Sequence, residues 1–301
     1  MRSQLSSIFS LPFLLASPLA ASTIIASSDN PAVTPEMYAA EAAKYSTVGT
    51  VTGQLYNGSG VLIGDQWVLT AGHVAMFKAG GTFTIGGQAY TIESSTVAPG
   101  YSLSNPNFAD VGLLKLSAPV TGVTPEQMFD FGNNGASLLG REATWVGTGF
   151  TGDGLTGASA PFAYRAFTNI IDVLGDHPDY EGLASSSFVS DFDRPDGSTN
   201  APDSSPTATR LEGSVATGDS GGGVFVNLDG KNYLVGINSY SGYLDTMPGG
   251  ANSKYGGLSG ATNLALYYDW IQTTTGIAAV PEPSAALLVL LAAVPLARRK
   301  R

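Results

Sequence analysis

The chain has 301 residues, 43% hydrophobic and 13% charged, a globular profile with room for a two-lobed domain. It has no cysteine, which excludes thiol catalysis, disulfide scaffolds and cysteine metal sites. The net charge is −10, and five of the 14 basic residues lie in the terminal segments, so the body is more acidic still and repels nucleic-acid backbones.

Residues 1–22, MRSQLSSIFSLPFLLASPLAAS, place one positive charge before an apolar centre from Ile8 to Leu15, with small residues at Ala20 to Ser22. This is the order of a secretory signal peptide, and Pro12 and Pro18 oppose a buried helix. Beyond it, short alternating runs broken by Gly, Asn or Pro predict an all-β body. Residues 59–74, SGVLIGDQWVLTAGHV, read as a hairpin: Val61 to Ile63, a Gly-Asp turn, then Trp67 to Leu69. His73, one of two histidines, follows where the strand ends, and alone it would be read as structural.

Residues 107–116, NFADVGLLKL, put Asp110 at the entry of an apolar strand, Val111 to Leu116. A carboxylate there needs a partner, and orienting an imidazole is one way to supply it. Residues 172–203 form an acidic insertion. Asp191, Asp193, Asp196 and Asn200 offer oxygens of the kind Ca2+ takes, but Pro195 breaks the spacing of an EF-hand. A solvated loop is the expected state, with His177 a loop residue; no other cofactor is expected, and Glu212 is left without a role. Residues 216–226, ATGDSGGGVFV, are either turn chemistry or a nucleophile. The presence of His73 and Asp110 decides for Ser220 as the nucleophile. A helix is expected near 264–275, with Gly276 as its stop.

Residues 280–301, VPEPSAALLVLLAAVPLARRKR, join Pro281-Glu282-Pro283 to an apolar run and a basic end. The run is about 13 residues, short of the ~20 that span a bilayer comfortably, and its basic end would stay cytoplasmic. The segment resembles a PEP-CTERM sorting signal. That resemblance implies a Gram-negative bacterium, secretion across its inner membrane and a cell-surface or extracellular destination. The implied partners are signal peptidase and an exosortase-type sorting enzyme, with transient inner-membrane contact through the C-terminal segment. A plain membrane anchor is the alternative.

The order His73, Asp110, Ser220 and the motifs TAGH, ADVGLLKL and GDSGGG resemble the trypsin-like (chymotrypsin-fold) serine proteases, where they read TAAH, DIALLKL and GDSGGP. WVGTGF (145–150) sits where that family opens its second barrel, LVGINSYSG (234–242) at its cleft strand and LYYDWI (266–271) at its C-terminal helix. The resemblance runs over roughly 45–275. Gly72, Val74 and Gly223 depart from the pattern, and none removes a catalytic atom.

The resemblance implies two antiparallel six-stranded β-barrels and a short C-terminal helix. The domain would cover 23–278, with barrel one to about 125 and barrel two from about 140; the segments 1–22 and 279–301 lie outside it. The implied activity is a secreted serine endopeptidase acting on peptide or protein substrates. Ser220 attacks, His73 moves the proton, Asp110 holds the tautomer, and the N–H groups of Gly218 and Ser220 form the oxyanion hole. Asp219 would pair with a mature N-terminal ammonium, the candidate starts being Ile24 and Ile25. Ser214 would form the base of the primary pocket, where trypsin has aspartate, with Ser239, Tyr240 and Ser241 as its wall. Preference for an uncharged side chain is expected. A catalytically weak surface or matrix binding protein on this scaffold, and an esterase with the same triad, are the competing readings.

Overall fold

The computed structural model describes residues 22–102, 109–180, 184–244 and 251–281. The expected leader, 1–22, lies outside the described residues except for Ser22, and the expected sorting segment, 279–301, except for 279–281. Among the described residues no helix is long and apolar enough to cross a membrane.

The first lobe follows a short strand, β1 (Ser22–Ile24), and a helix, α1 (Pro35–Ala42). Its strands are β2 (Val48–Thr52), β3 (Gly58–Gly64), β4 (Trp67–Thr70), β5 (Thr82–Ile85), β6 (Gln88–Val97) and β7 (Gly112–Leu116). They close into a six-stranded antiparallel barrel in the order β2-β3-β4-β7-β6-β5. Branched and aromatic side chains drive the closure: Val51, Val61, Leu69, Phe83, Ile92 and Leu114 are fully buried inside. Register shifts between Leu62 and Gly64 and between Ile92 and Ser94 supply the bends that closure needs. A single helical turn, α2 (Gly72–Ala75), leaves the end of β4 and carries His73.

The second lobe holds β8 (Phe129–Asp130), β9 (Glu142–Gly147), β10 (Phe150–Asp153), β11 (Gly157–Phe162), β12 (Arg165–Ile170), β13 (Val173–Leu174), β14 (Ser187–Asp191), β15 (Gly213–Ser214), β16 (Gly223–Leu228), β17 (Lys231–Tyr243) and β18 (Gly257–Asn263). Seven of these form one antiparallel sheet, β12-β9-β16-β17-β18-β14-β13. Its core centres on Trp145, stacked on Phe167 at 5.8 Å with Phe188 edge-on at 5.8 Å. The expected second closed barrel is not found among the described residues. The curled sheet brings β12 and β14 together, but a side chain bridges them: Asn169 Nδ2 donates to the Asp191 carbonyl at 2.5 Å. A smaller sheet, β11-β10-β1-β15, lies beside this one, so the N-terminal strand is built into the second lobe.

The last helix, α3 (Tyr268–Thr275), ends at Gly276, whose φ of 78° lets its N–H return to the Gln272 carbonyl at 2.8 Å. Ile271 reaches the core of the first lobe, tying the two lobes together. The chain then adds β19 (Val280–Pro281) beside β8.

The acidic insertion corrects the expectation of a solvated loop. Asp191, Asp193 and Glu212 are all at least 98% buried, and Asp172 lies against them. Glu212 Oε2 takes the Thr209 N–H and hydroxyl at 2.6 Å each, but its Oε1 and the Oδ1 of Asp193 have no hydrogen-bond partner. The calcium ligand set does not assemble either. Asp196 is turned outward onto the Ser198 N–H, and Asn200 bonds Ser204 and Ala201. Among the described residues only His177, Asp179 and Asp203 gather three such ligand groups, and both of those carboxylates are exposed.

Burial, with repulsion from neighbouring carboxylates, pushes Asp172 and Asp193 up to about 8 and raises Glu212, and burial raises Asp191. An acid raised on folding stabilises fully below its unfolded value, ~3.9–4.3, and that contribution is lost as pH rises through the folded value. Stability is thus expected to fall between about pH 4 and pH 8, giving a higher melting temperature at pH 5.5 than at pH 8.5. Glu212→Gln should raise the pH 8.5 value and flatten the dependence. A melting profile flat or rising across this range would contradict the buried acid cluster.

Candidate active site

His73 reaches the cleft because Ala71 ends β4 in an extended conformation and the chain then turns into α2. Asp110 arrives from the other side, delivered by a turn at Ala109 with φ 56° just before β7. Asp110 is 3% exposed and fully engaged. Its Oδ1 accepts the His73 backbone N–H at 2.9 Å, and its Oδ2 lies 2.9 Å from His73 Nδ1. Oδ2 also accepts a short bond from the Ser239 hydroxyl, and the Asp110 carbonyl accepts from Thr262 Oγ1 at 2.8 Å. An imidazole so held carries its proton on Nδ1 and leaves Nε2 free as a base. Gly72, which replaces the family's alanine, has a local reason: a Cβ there would sit 3.0 Å from the Tyr101 ring and 3.1 Å from Asp110 Oδ1.

Ser220 lines the same cleft as His73, in a cavity of about 180 Å3. Among the described residues no hydrogen bond closes between the Ser220 hydroxyl and His73. The loop that carries Ser220 is sharply turned. Gly218 adopts φ 98°, in the region that favours glycine, and its carbonyl takes the Ser59 hydroxyl at 3.1 Å. Neither the Gly218 nor the Ser220 N–H donates to a protein acceptor among the described residues, whereas the Asp219 and Gly221 N–H groups are engaged by Ala216 and Asn238. Two unspent amides beside a serine are what a developing oxyanion requires.

Asp219 holds this loop from behind. It is fully buried; Oδ1 accepts the Gly149 N–H at 2.9 Å, and Oδ2 accepts the Ala216 N–H at 2.8 Å and the Ser22 hydroxyl at 2.9 Å. Burial pushes its carboxyl up to about 6 against the pull of those three bonds. The expected partner is thereby corrected. Ser22, 1% exposed in β1, stands at Asp219. Ile24 instead packs into the second core, and the Ile25 N–H is held by the Tyr38 hydroxyl at 3.2 Å. Arg165 Nη1 clamps the Ser22 carbonyl at 2.9 Å.

Ser239, Tyr240 and Ser241 line the cleft as read from the sequence, but Ser214 does not. It is fully buried in β15, its hydroxyl 3.0 Å from that of Ser259, which also accepts the Val215 N–H at 3.1 Å. Ser259, which the sequence reading missed, pairs with Ser214 beneath Val215, the first residue of this segment to line the cleft. Its partner lies 45 residues away, so no local pattern marks it. Tyr56, also missed, sets its ring edge-on to His73 at 5.9 Å from an exposed position.

A closed β-barrel packed on a second β-lobe, with a buried Asp–His pair, a serine and free amides in one cleft, defines a chymotrypsin-like serine protease scaffold. Residues 58–237 match the model of the trypsin-like peptidase domain, and the chain belongs to that family. Neuropsin, a serine protease expressed in the limbic system of mouse brain, has a similar fold: TM-score 0.56 and 20% identity, covering 76% of this chain and 94% of that one. Among curated proteins, no sequence is significantly similar to this chain.

Proposed function

We propose that the protein is a secreted serine endopeptidase working through His73, Asp110 and Ser220 and an acyl-enzyme intermediate. The observation that carries this reading is the Asp110–His73 pair set beside Ser220 and two unspent oxyanion amides. Ser220 Oγ attacks the peptide carbonyl as His73 Nε2 takes its proton. The proton then passes to the leaving amine, and water repeats the sequence on the acyl-enzyme. Among the described residues, no Asp, Glu, Lys or Arg lines the cavity beside Ser239, Tyr240 and Ser241, which supports an uncharged side chain on the acyl side.

Maturation is part of the proposal. Signal peptidase cutting after Ala21 leaves Ser22 as the first residue, its ammonium three bonds from the hydroxyl that touches Asp219. The C-terminal segment then passes through an exosortase-type enzyme at the inner membrane on the way to the cell surface or beyond. A fluorophosphonate probe tests the activity: wild type is expected to label and Ser220→Ala not to. A folded chain starting at Ser22 that fails to label would overturn the endopeptidase reading.

A further inference from the structure

The cleft does not end at Ser220. Beyond Gly218 it opens into a second cavity of about 430 Å3, more than twice the volume of the one holding His73 and Ser220. The two meet at Asn57 and Gly218, which line both. They therefore flank the point where the oxyanion amides would hold a scissile carbonyl. The smaller cavity runs along Ser239, Tyr240 and Ser241, the wall assigned to the acyl side. The larger one lies across the oxyanion loop from that wall, where the departing half of the peptide must lie.

The two cavities differ in chemistry. No charged residue lines the larger one. Three of its polar side chains are engaged elsewhere: the Tyr164 hydroxyl donates to the Tyr45 carbonyl at 2.5 Å, Thr148 Oγ1 pairs with the Ser59 hydroxyl at 2.9 Å, and Asn57 Oδ1 accepts the Gly53 N–H at 3.1 Å. The Phe162 and Tyr164 rings and the Ala163 methyl supply apolar lining beside Thr50 and Thr52. Phe162 is 52% exposed yet braced by Phe150, ring centroids 4.3 Å apart. Its ring lies directly on the oxyanion loop, since a Cβ on Gly218 would fall 2.6 Å from Phe162 Cε1. A large, held, exposed aromatic at the reaction centre has no packing role that accounts for its exposure.

We infer that this site reads its substrate chiefly on the leaving-group side, taking a large apolar side chain, aromatic or leucine-like, within two residues after the scissile bond and seating it against Phe162. The inference rests on the endopeptidase reading and supplies its substrate class. A side chain buried there, next to the amides that bind the oxyanion, fixes the carbonyl in line with Ser220. Remote binding energy of this kind appears in the rate of acylation.

The test uses internally quenched peptides identical on the acyl side and carrying Phe, Leu, Gly or Asp at the first and second positions after the bond. Burial of one large apolar side chain predicts kcat/KM about 10- to 100-fold higher for Phe or Leu than for Gly. Phe162→Ala should bring the Phe and Gly peptides within about threefold of each other, whereas Phe162→Trp should keep the preference, by the same burial argument. Equal cleavage of Phe and Gly peptides by a wild-type enzyme that labels with fluorophosphonate would overturn the inference alone. Absence of both labelling and cleavage would overturn the endopeptidase reading beneath it.

Discussion

Asparagine at position 110 is expected to lower kcat by about 10^4-fold with the fold intact. The carboxylate accepts three donors at once: the His73 N–H and ring N–H, and the Ser239 hydroxyl. An amide presents one oxygen and one NH2 group. If the oxygen keeps the backbone N–H, the NH2 faces the imidazole and forces Nδ1 to accept. The ring proton then moves to Nε2, and His73 can no longer take the proton of Ser220. Shape and packing are nearly conserved, so the melting temperature should shift far less than the rate. Parallel kcat and melting measurements check this, and a loss below tenfold would show that Asp110 does not set the tautomer. Because the three residues act as a unit, Asp110→Asn combined with Ser220→Ala should be no slower than Ser220→Ala alone.

The parts of the site legible in the sequence were those written locally. TAGH, ADVGLLKL and GDSGGG each join a functional atom to the strand or turn that presents it, and the structure places His73, Asp110 and Ser220 at one cleft. The hairpin of β3 and β4 was legible for the same reason, since alternation and a Gly-Asp turn lie within a dozen residues. Contacts between distant segments were not legible. Ser259 and Ser214 are ordinary serines until two strands bring them together. The 172–212 region has the composition of a solvated loop, and only the fold buries Asp191, Asp193 and Glu212 while leaving Asp196 and Asp203 outside. The resemblance implies a closed second barrel; among the described residues the Asn169 side chain bridges β12 and β14. β1 overlaps the expected leader at Ser22, and its three residues carry no strand signal apart from the sheet that receives them.

That buried strand leads to the second large effect. A chain beginning at Ser22 is expected to be 10- to 100-fold more active, in kcat/KM, than one beginning at Ala20, the range set by one charge-assisted bond worth about 1.5–3 kcal/mol. Ser22 and Thr23 are at most 1% exposed, between β10 and β15, so extra residues must either be buried or pull β1 from its sheet. The extended chain also has no ammonium for Asp219, whose carboxyl then stands at about 6. An acid raised in this way loses its stabilisation of the loop as pH rises from ~3.9 through that value. The free ammonium offsets that loss by favouring the Asp219 carboxylate. An ammonium raised by such a partner contributes fully below its ordinary ~7.7–8.0 and is lost as pH climbs through the raised value. Activity of the Ser22 chain should therefore show an alkaline limb that the extended chain lacks. Ser22→Ala keeps the ammonium and removes the hydroxyl bonded to Asp219, so it separates the two contacts. Near-wild-type rates for Ser22→Ala, with a slow Ala20 chain, would assign the effect to the charge. The reverse pattern would assign it to the hydroxyl, and the maturation proposal would fall.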